Sequence, residues 1–467
     1  MQGSDDRHGK NWTLGVTALA SFMVALDTLV LTSALATIRT DFNAAMETLQ
    51  WTVNAYNLSF AVLLLTGAAL GDRFGRRRMF AAGIALFMLA SIACALSAGI
   101  VSLIAARAAQ GAGAALVVPL AMAILSGAFA REERAWALGI FSGVTGLALI
   151  IGPAVGGFIT ESFGWRWIFW INCPIGLMLL AMVSARLRES FGPAVGLDMS
   201  GLGLIAAAAF AVVWGLLRGN GSGWTSAEVV TALVAGLLLT AAFIGWESRA
   251  DAPMVPMRLF RARALSSGVM ACFLFFAAMY GTLFLLPQFF QAAFGYGPFG
   301  AGLRLLPWTA TLFVTAPIAG AVVNRVGERP LVVAGLLMQA TGLGWMAMIV
   351  GSGAAYSTII APLVLAGVGV SMAMPAVQNA VLSSVAVIEM GKASGVFNMA
   401  RFLGGVFGIA LLVAVFGTGA TASPATFSAG FAAAMEVAAA LSLLGAVVGL
   451  WLPARRRVAD VQVSQNA

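Results

Sequence analysis

Two apolar runs flank a short charged loop in residues 61–90, which read AVLLLTGAALGDRFGRRRMFAAGIALFMLA. The loop packs one acid, four arginines and a glycine into seven residues: Asp72, Arg73, Gly75, Arg76, Arg77 and Arg78. A loop this charged stays outside a bilayer, whereas the uncharged runs on either side suit its interior. The stretch therefore predicts two membrane helices joined by a charged turn.

The same pattern continues along the whole chain, and a span needs about 20 apolar residues. Fourteen runs are long enough: 13–36, 50–70, 80–99, 102–127, 136–160, 167–186, 199–217, 227–247, 265–290, 302–323, 331–350, 357–384, 393–416 and 428–452. The chain is 61% hydrophobic and 9% charged, against about 45–50% and about 25% in soluble domains. The runs are continuous rather than alternating, which excludes a porin-like barrel. We expect an all-α polytopic membrane protein with 14 transmembrane helices.

The basic residues predict its orientation. If the N-terminus is cytoplasmic, the inner segments carry twenty of the 26 lysines and arginines, and the outer segments carry four. The remaining two, Arg107 and Arg401, fall inside spans. By the positive-inside rule, both termini are cytoplasmic and the protein lies in the inner cell membrane. The net charge of +8 is thereby explained by orientation and lipid contact, and we expect no nucleic-acid partner.

Several functional classes are excluded by what the sequence lacks. It contains no G-x4-G-K-[ST] loop, which argues against an ATP-driven pump. Its one histidine is His8, and Cys94, Cys173 and Cys272 lie in apolar runs without metal-ligand spacing. We therefore expect no metal, no cofactor and no enzymatic activity, and the proton motive force remains as the energy source.

An internal repeat divides the chain. Arg73 and Gly75 recur as Arg325 and Gly327 at an offset of 252 residues, and the glycines of helix 4 recur in helix 12. Two six-helix halves that run in the same direction predict two lobes with a binding site at their interface. The expected units are a tail (1–12), an N-terminal lobe (13–190), two inserted helices with a linker (191–264), a C-terminal lobe (265–452) and a second tail (453–467).

Asp27 and Arg107 are charges inside predicted spans. A carboxylate at the centre of a helix costs about 2.5–3.5 kcal/mol on insertion scales, and such residues are usually functional. Because burial disfavours its charged form, Asp27 could load and release a proton as its surroundings alternate between wet and dry. Arg107 keeps its charge and could therefore change the proton affinity of Asp27. Each residue also has a purely structural alternative: Asp27 stays neutral and forms a hydrogen bond, or Arg107 donates only to Gln110 and carbonyl groups. If Asp27 is sealed from both water and the central opening, its role is structural and not proton transfer.

Two further segments predict moving parts. The loop from Asp72 to Arg78 could act as a cytoplasmic gate, although it could also serve topology alone. Helix 5 carries small residues and a proline, which allow close helix contact and a bend. These residues are Gly143, Gly152, Pro153, Gly156 and Gly157.

Five stretches resemble the major facilitator superfamily. The 72–78 loop resembles motif A of this family. The family's helix-4 motif is similar to Leu103-x3-Arg107-x2-Gln110-Gly111-x-Gly113, and its helix-5 antiporter motif is similar to Gly143-x8-Gly152-Pro153-x2-Gly156-Gly157. Leu26-Asp27-Thr28 and the stretch from Trp165 to Gly176 resemble the fourteen-span drug/proton antiporter branch. The resemblance implies two six-helix lobes plus two inserted helices, and it implies that Arg107 lies near helix 1 and assists proton transfer.

A substrate cavity is expected to be lined by amides, aromatic rings and methionine, which suit bulky amphipathic ligands. The candidates are Asn54, Asn57, Gln110, Tyr280, Gln288, Met374, Asn379, Asn398 and Arg401. Arg401 has two interpretations: it holds an anionic substrate group, or it braces helix carbonyls. Glu436 also has two: it is a second proton site, or it faces water.

The sequence thus predicts a monomeric transporter that exports hydrophobic or amphipathic small molecules in exchange for protons, by alternating access. Its partners would be the substrate, protons and the lipid bilayer. One alternative is a dedicated exporter of a self-made metabolite or antibiotic. Another, of a different class, is a non-transporting membrane receptor or assembly protein on the same scaffold.

Overall fold

The computed structural model describes residues 2–130, 133–192, 198–251, 253–350, 355–385, 389–417 and 423–453. Arg131, Arg455, Arg456 and Arg457, which entered the charge count, and nearly all of the predicted tail 453–467 lie outside these ranges. The rest of the chain is almost entirely helical.

Fourteen helices in the described residues are long and apolar enough to cross a membrane, which confirms the predicted fold class. They are α1 (Gly9–Asp41), α2 (Met46–Phe74), α3 (Arg76–Ala95), α4 (Ile100–Ala128), α5 (Trp136–Phe163), α6 (Trp167–Arg186), α7 (Met199–Ser222), α8 (Ala227–Glu247), α9 (Arg263–Phe294), α10 (Pro298–Val323), α11 (Glu328–Val350), α12 (Tyr356–Leu382), α13 (Met390–Phe416) and α14 (Pro424–Gly449).

Some helices extend beyond or break within these spans. The helix that contains α1 begins at Gln2, so that most of the expected first tail is helical. The region of α10 comprises three pieces, Pro298–Leu303, Leu306–Thr309 and Thr311–Val326. The first two pieces carry a proline in their first turn, where its missing N–H is tolerated. A 3₁₀ turn at Met257–Arg261 precedes α9.

Helix packing produces two groups of six. In the first, α1 packs on α5, and α4 packs on α2 and α3; in the second, α9 packs on α13 and α14, and α11 on α12 and α14. The additional helices α7 and α8 pack on each other, and α7 also contacts α13 and α2. The two groups meet where α5 contacts α10 and where α2 contacts α13. We call these groups the first and second lobes.

Because short connections make successive helices antiparallel, α1 begins and α14 ends on the same face. We call it the terminal face and the opposite one the distal face. Near the distal face, a methyl group on Gly157 of α5 would overlap the backbone of Pro298 and Phe299. The same side of α5 carries Gly143 and Gly146 towards the terminal face, where such a methyl group would meet no atom within 4 Å. The α5–α10 seam is therefore closed at the distal face and open towards the terminal face.

Candidate functional site

A buried ion pair lies at the centre of the first lobe. Arg107 of α4 directs its Nη1 to Oδ2 of Asp27 on α1, at 2.5 Å. The Arg107 side chain is 0% exposed and the Asp27 side chain 1% exposed. In this conformation, therefore, the carboxylate is closed to solvent and the arginine balances its charge.

Two amides bind the other oxygen of Asp27. The side chains of Gln110 on α4 and Asn172 on α6 each donate to Oδ1 at 2.8 Å. Both amides also reach the hydroxyl of Ser91 on α3, at 2.7 Å from Gln110 and 3.2 Å from Asn172. The carboxylate thus receives donors from two helices, while Ser91 joins a third to the network.

Arg107 is held by contacts besides the acid. Its Nε donates to the carbonyl of Thr52 at 3.0 Å, and Nη1 also donates to Gln110 Oε1 at 2.6 Å. Its guanidinium lies 4.3 Å from the ring centroid of Tyr56, a cation–π distance. Its Nη2 has no hydrogen-bond acceptor among the described residues. The geometry leaves one donor available to a ligand or water, and α2 is joined to the pair through both Thr52 and Tyr56.

The charged loop at the end of α2 is anchored within its own lobe. Asp72 pairs with Arg76, the first residue of α3, at 2.8 Å, and the Asp72 carbonyl accepts from the N–H of Gly192 at 3.1 Å. Arg77 donates to the carbonyl of Leu187 at 3.2 Å. Arg73 lies over the ring of its neighbour Phe74, at 5.3 Å. In the conformation that is open towards the terminal face, the described contacts of this loop are with α3 and the segment after α6, not with the second lobe.

Glu189, which was not among the predicted site residues, caps the N-terminus of α3. Its carboxylate accepts from the backbone N–H groups of Arg77 at 2.8 Å and Arg78 at 3.3 Å, at the start of α3. Gly75 makes the turn possible because its φ is +104°, a region that side chains disfavour. The acid also matches the positive end of the α3 dipole.

The glycines of α5 face two partners. Gly152 packs against Leu29 of α1, and Gly156 against the backbone of Val30. Gly157 instead contacts α10 of the second lobe. The Pro153 carbonyl accepts from Ser33 Oγ of α1 at 2.7 Å. α5 therefore links the helix that carries Asp27 to the seam between the lobes.

An aromatic contact joins the two lobes beside the ion pair. Phe60 of α2 lies 4.2 Å from Phe402 of α13, measured between ring centroids. On one side Phe60 contacts Tyr56, under Arg107, and on the other Phe402 contacts Tyr280 of α9. Arg401 Nη2 donates to the Tyr280 hydroxyl at 3.3 Å. The two arginines predicted inside spans thus lie at opposite ends of one row of rings.

The remaining cavity candidates have different surroundings. Asn54 and Asn57 are fully buried, and their amide groups find no hydrogen-bond partner among the described residues. Gln288 is buried and donates to the Phe284 carbonyl at 2.7 Å. Asn398 donates to its own helix, to the Ser394 carbonyl at 2.9 Å.

Three further predicted residues are Asn379, Met374 and Glu436. Asn379, near the end of α12, donates to Glu328 at the start of α11, at 2.7 Å, and so braces the second copy of the charged loop. Met374 packs half-buried against the hydrophobic core, and Glu436 is exposed on α14.

The structure therefore brings Asp27, Arg107 and Gln110 together in the first lobe. Tyr280 and Arg401 meet in the second lobe, and the contact between Phe60 and Phe402 joins the two sets.

Sequence analysis missed Asn172, which donates to Asp27, and Ser91, which accepts from both amides. Asn172 lies in the Trp165–Gly176 stretch that sequence analysis quoted without assigning it a role. A buried amide in an apolar run was the available signal, since an amide in a bilayer needs partners. Ser91 carried no such signal, because a serine in a span can satisfy itself on its own helix, as Ser91 does with the Phe87 carbonyl at 2.9 Å.

Comparison with known proteins finds a family model that matches most of the chain and proteins of similar sequence. A family model described as the Major Facilitator Superfamily matches residues 17–409. The chain is 35% identical over 405 residues to the multidrug resistance protein Stp of Mycobacterium tuberculosis (strain CDC 1551 / Oshkosh), covering 86% of this chain and 75% of that protein. It is 36% identical over 450 residues to the cephamycin export protein CmcT of Amycolatopsis lactamdurans, covering 95% and 93%.

A solved structure is similar in fold. The D-xylose-proton symporter matches with a TM-score of 0.69 and 16% identity, over 95% of this chain and 98% of that one. At this identity, the likeness concerns the arrangement of helices alone.

Proposed function

The chain belongs to the major facilitator superfamily, and we propose that it exports hydrophobic or amphipathic small molecules across the inner cell membrane in exchange for protons. Its relatives include proteins named for multidrug resistance and for antibiotic export. The observation that carries the proton part is the Asp27–Arg107 pair inside the membrane spans, because an ionisable acid there is costly and usually functional. Asp27 is closed to solvent in this conformation, so the proposal requires that the pair opens in another one. No cofactor is needed for this scheme.

Orientation follows from charge. The terminal face is assigned to the cytoplasm because it carries the loop from Asp72 to Arg78 and most of the basic residues. Both termini are then cytoplasmic. The conformation described above is accordingly open towards the cytoplasm at the α5–α10 seam, which is the state that would collect a substrate for export.

Arg107 and Asp27 supply the coupling. In the cytoplasm-facing state, Arg107 and the two amides all donate to the Asp27 carboxylate. We infer that rocking of the lobes also moves α1 against α4 within the first lobe, which separates the pair. An acid left without its cation in a dry site favours its protonated form and takes a proton from outside. Each proton that moves inward through 100 mV supplies about 2.3 kcal/mol.

Transport by everted vesicles tests this proposal. A growth-inhibition screen in an efflux-deficient host first identifies a compound that the protein expels. Everted vesicles should then accumulate that compound when a proton gradient is applied, and lose it when an uncoupler is added. The Asp27→Asn protein should bind the compound but accumulate less than a tenth of the wild-type amount.

The matched control is Asp41→Asn. Asp41 is on the same helix and pairs with Arg166 at 2.9 Å, but this pair is more than 40% exposed, and such surface pairs contribute little. Asp41→Asn should therefore accumulate the compound as the wild type does. Undiminished uphill accumulation by Asp27→Asn would show that the buried acid is scaffolding, as expected for a group that stays sealed.

The breadth of substrates separates the two export functions. The named antibiotic exporters among the relatives favour a dedicated exporter as the second candidate. A dedicated exporter would protect its host against one chemical family in the growth screen, whereas a multidrug exporter would protect against unrelated ones. A receptor or assembly protein would protect against none.

A further inference from the structure

Arg401 of α13 is a partly buried cation whose charge is not balanced. In the described part of the chain, no carboxylate forms an ion pair with it. Its Nε is buried without an acceptor among the described residues, and the hydrogen bond to the Tyr280 hydroxyl comes from Nη2. A buried charge without a partner is costly, so a guanidinium in this state is a strong site for an anion.

Aromatic rings surround this guanidinium. Its central carbon lies 5.0 Å from the ring centroid of Phe276 and 5.3 Å from that of Phe402. The rings of Phe276 and Tyr280 are tilted by 30° at a centroid distance of 5.9 Å. Cation–π contacts satisfy the face of a guanidinium but leave the donors on its edge available. A ligand here would meet donors at the edge of Arg401 and flat apolar surfaces beside it.

The position fits a transported ligand rather than a structural brace. Arg401 is midway along α13, and its neighbour Phe402 contacts Phe60 of the other lobe. Arg107 across the seam is neutralised by Asp27, so the pair does not cancel the Arg401 charge by itself. In contrast to a brace, Arg401 makes no described hydrogen bond to a helix carbonyl. A site at the lobe interface near the midplane is where both conformations can reach a substrate.

We propose that Arg401, Tyr280 and Phe276 form a subsite for the carboxylate of an aromatic organic anion. This inference rests on the proposed export function and names its substrate class: amphipathic molecules with an acidic group attached to a flat ring system. Arg401 binds the carboxylate and the Tyr280 hydroxyl orients the guanidinium. Phe276, which is 0% exposed in this conformation, stacks on the ligand ring once the lobes separate. The positive charge also disfavours organic cations at this subsite.

Equilibrium binding of radiolabelled 1-naphthoate to the purified full-length protein in detergent tests the subsite, with protein-free micelles as the blank. The isosteric neutral amide, 1-naphthamide, is the competitor. Because a hydrogen-bonded charge is worth far more than a neutral contact, the wild type should prefer naphthoate by about tenfold or more. Arg401→Gln should abolish that preference by weakening naphthoate binding much more than naphthamide binding.

Three further variants separate loss of the subsite from loss of folding. Arg401→Lys keeps the charge but not the planar fork, and should show an intermediate preference. Tyr280→Phe should reduce the preference with less risk to folding than a change of charge. Arg218→Gln removes an arginine that is half exposed and pairs with Glu228 at 3.0 Å; it should bind both probes as the wild type does.

Equal affinity of the wild type for naphthoate and naphthamide would overturn the proposal. So would a preference that survives Arg401→Gln, because the anion would then be bound elsewhere. The measurement needs no proton gradient, so that failure of proton coupling and failure of the subsite are told apart. If vesicles show no proton-driven export but naphthoate binds through Arg401, the subsite stands and the coupling scheme falls.

Discussion

Asp27 shows how much a buried charge depends on each of its partners. Its two oxygens receive Arg107, Gln110 and Asn172, and the arginine is held in turn by Thr52 and Tyr56. Breaking a buried ion pair by removing one partner typically costs about 3–5 kcal/mol, whereas replacing both partners by apolar groups is often neutral. The pair therefore gives little net stability while it is intact, yet strongly penalises the loss of one member.

A double-mutant cycle follows from this asymmetry. Arg107→Leu should lower the thermal unfolding midpoint in detergent more than the double variant Asp27→Leu/Arg107→Leu does, because the single change leaves an uncompensated carboxylate. Unfolding of the four proteins by intrinsic fluorescence measures the coupling. Additive effects of the two substitutions would mean that the two side chains do not interact in the folded protein.

The two kinds of buried amide make a second comparison. Asn172 donates to Asp27 at 2.8 Å, whereas Asn54 is equally buried and finds no partner among the described residues. Asn172→Leu should destabilise the protein by about 1–3 kcal/mol, the cost of leaving a buried charged acceptor short of a donor. Asn54→Leu should be neutral or stabilising in the same unfolding assay. A larger loss for Asn54→Leu would show that its amide has a bound partner, such as water.

At the scale of the element, α5 depends on small residues at its contacts. Gly156 and Gly157 bring its backbone against the backbones of α1 and α10. Further along, the same side of α5 faces open space at Gly143. One helix thus contains both a closed and an open part of the seam, and its glycines have different roles on the two parts.

Gly157→Ala should shift the protein away from the conformation described here. The added methyl group overlaps the Pro298 carbonyl and forces the distal halves of α5 and α10 apart. Distances between fluorophores on the distal ends of the two lobes should lengthen on average. Gly143→Ala meets no atom within 4 Å, so it should leave those distances unchanged; equal shifts in both variants would contradict the packing account.

At the scale of the whole molecule, hydrophobic patterning predicted the number and order of the spans. It placed the first span at 13–36, whereas the structure extends it to Gly9–Asp41, because polar residues at helix ends can lie in the interface. The three pieces of α10 were not predicted. Hydropathy averages over about 20 residues, so it does not register the local breaks at residues 304–305 and at Ala310.

The contacts between helices were harder to predict than the number and order of the helices. The Asp27–Arg107 pairing followed from family resemblance, but the roles of Asn172 and Ser91 depend on which faces of α3 and α6 turn inward. The position of Asn379 apart from the Asp27–Arg107 pair also depends on helix rotation, since its amide donates to Glu328 at the start of α11. Sequence spacing gives the face of one helix but not the rotation of that helix against its neighbours.

The contact between α5 and α10 has a consequence for the time course of the cycle. Gly157 and Gly302 meet the opposing backbone directly, with no long side chain that could stretch to follow a moving partner. A gap of about 0.5–1 Å already forfeits a quarter to a half of the dispersion attraction. Halfway separations are thus poorly stabilised, and single-molecule records across this junction should show abrupt jumps between two levels rather than a gradual drift.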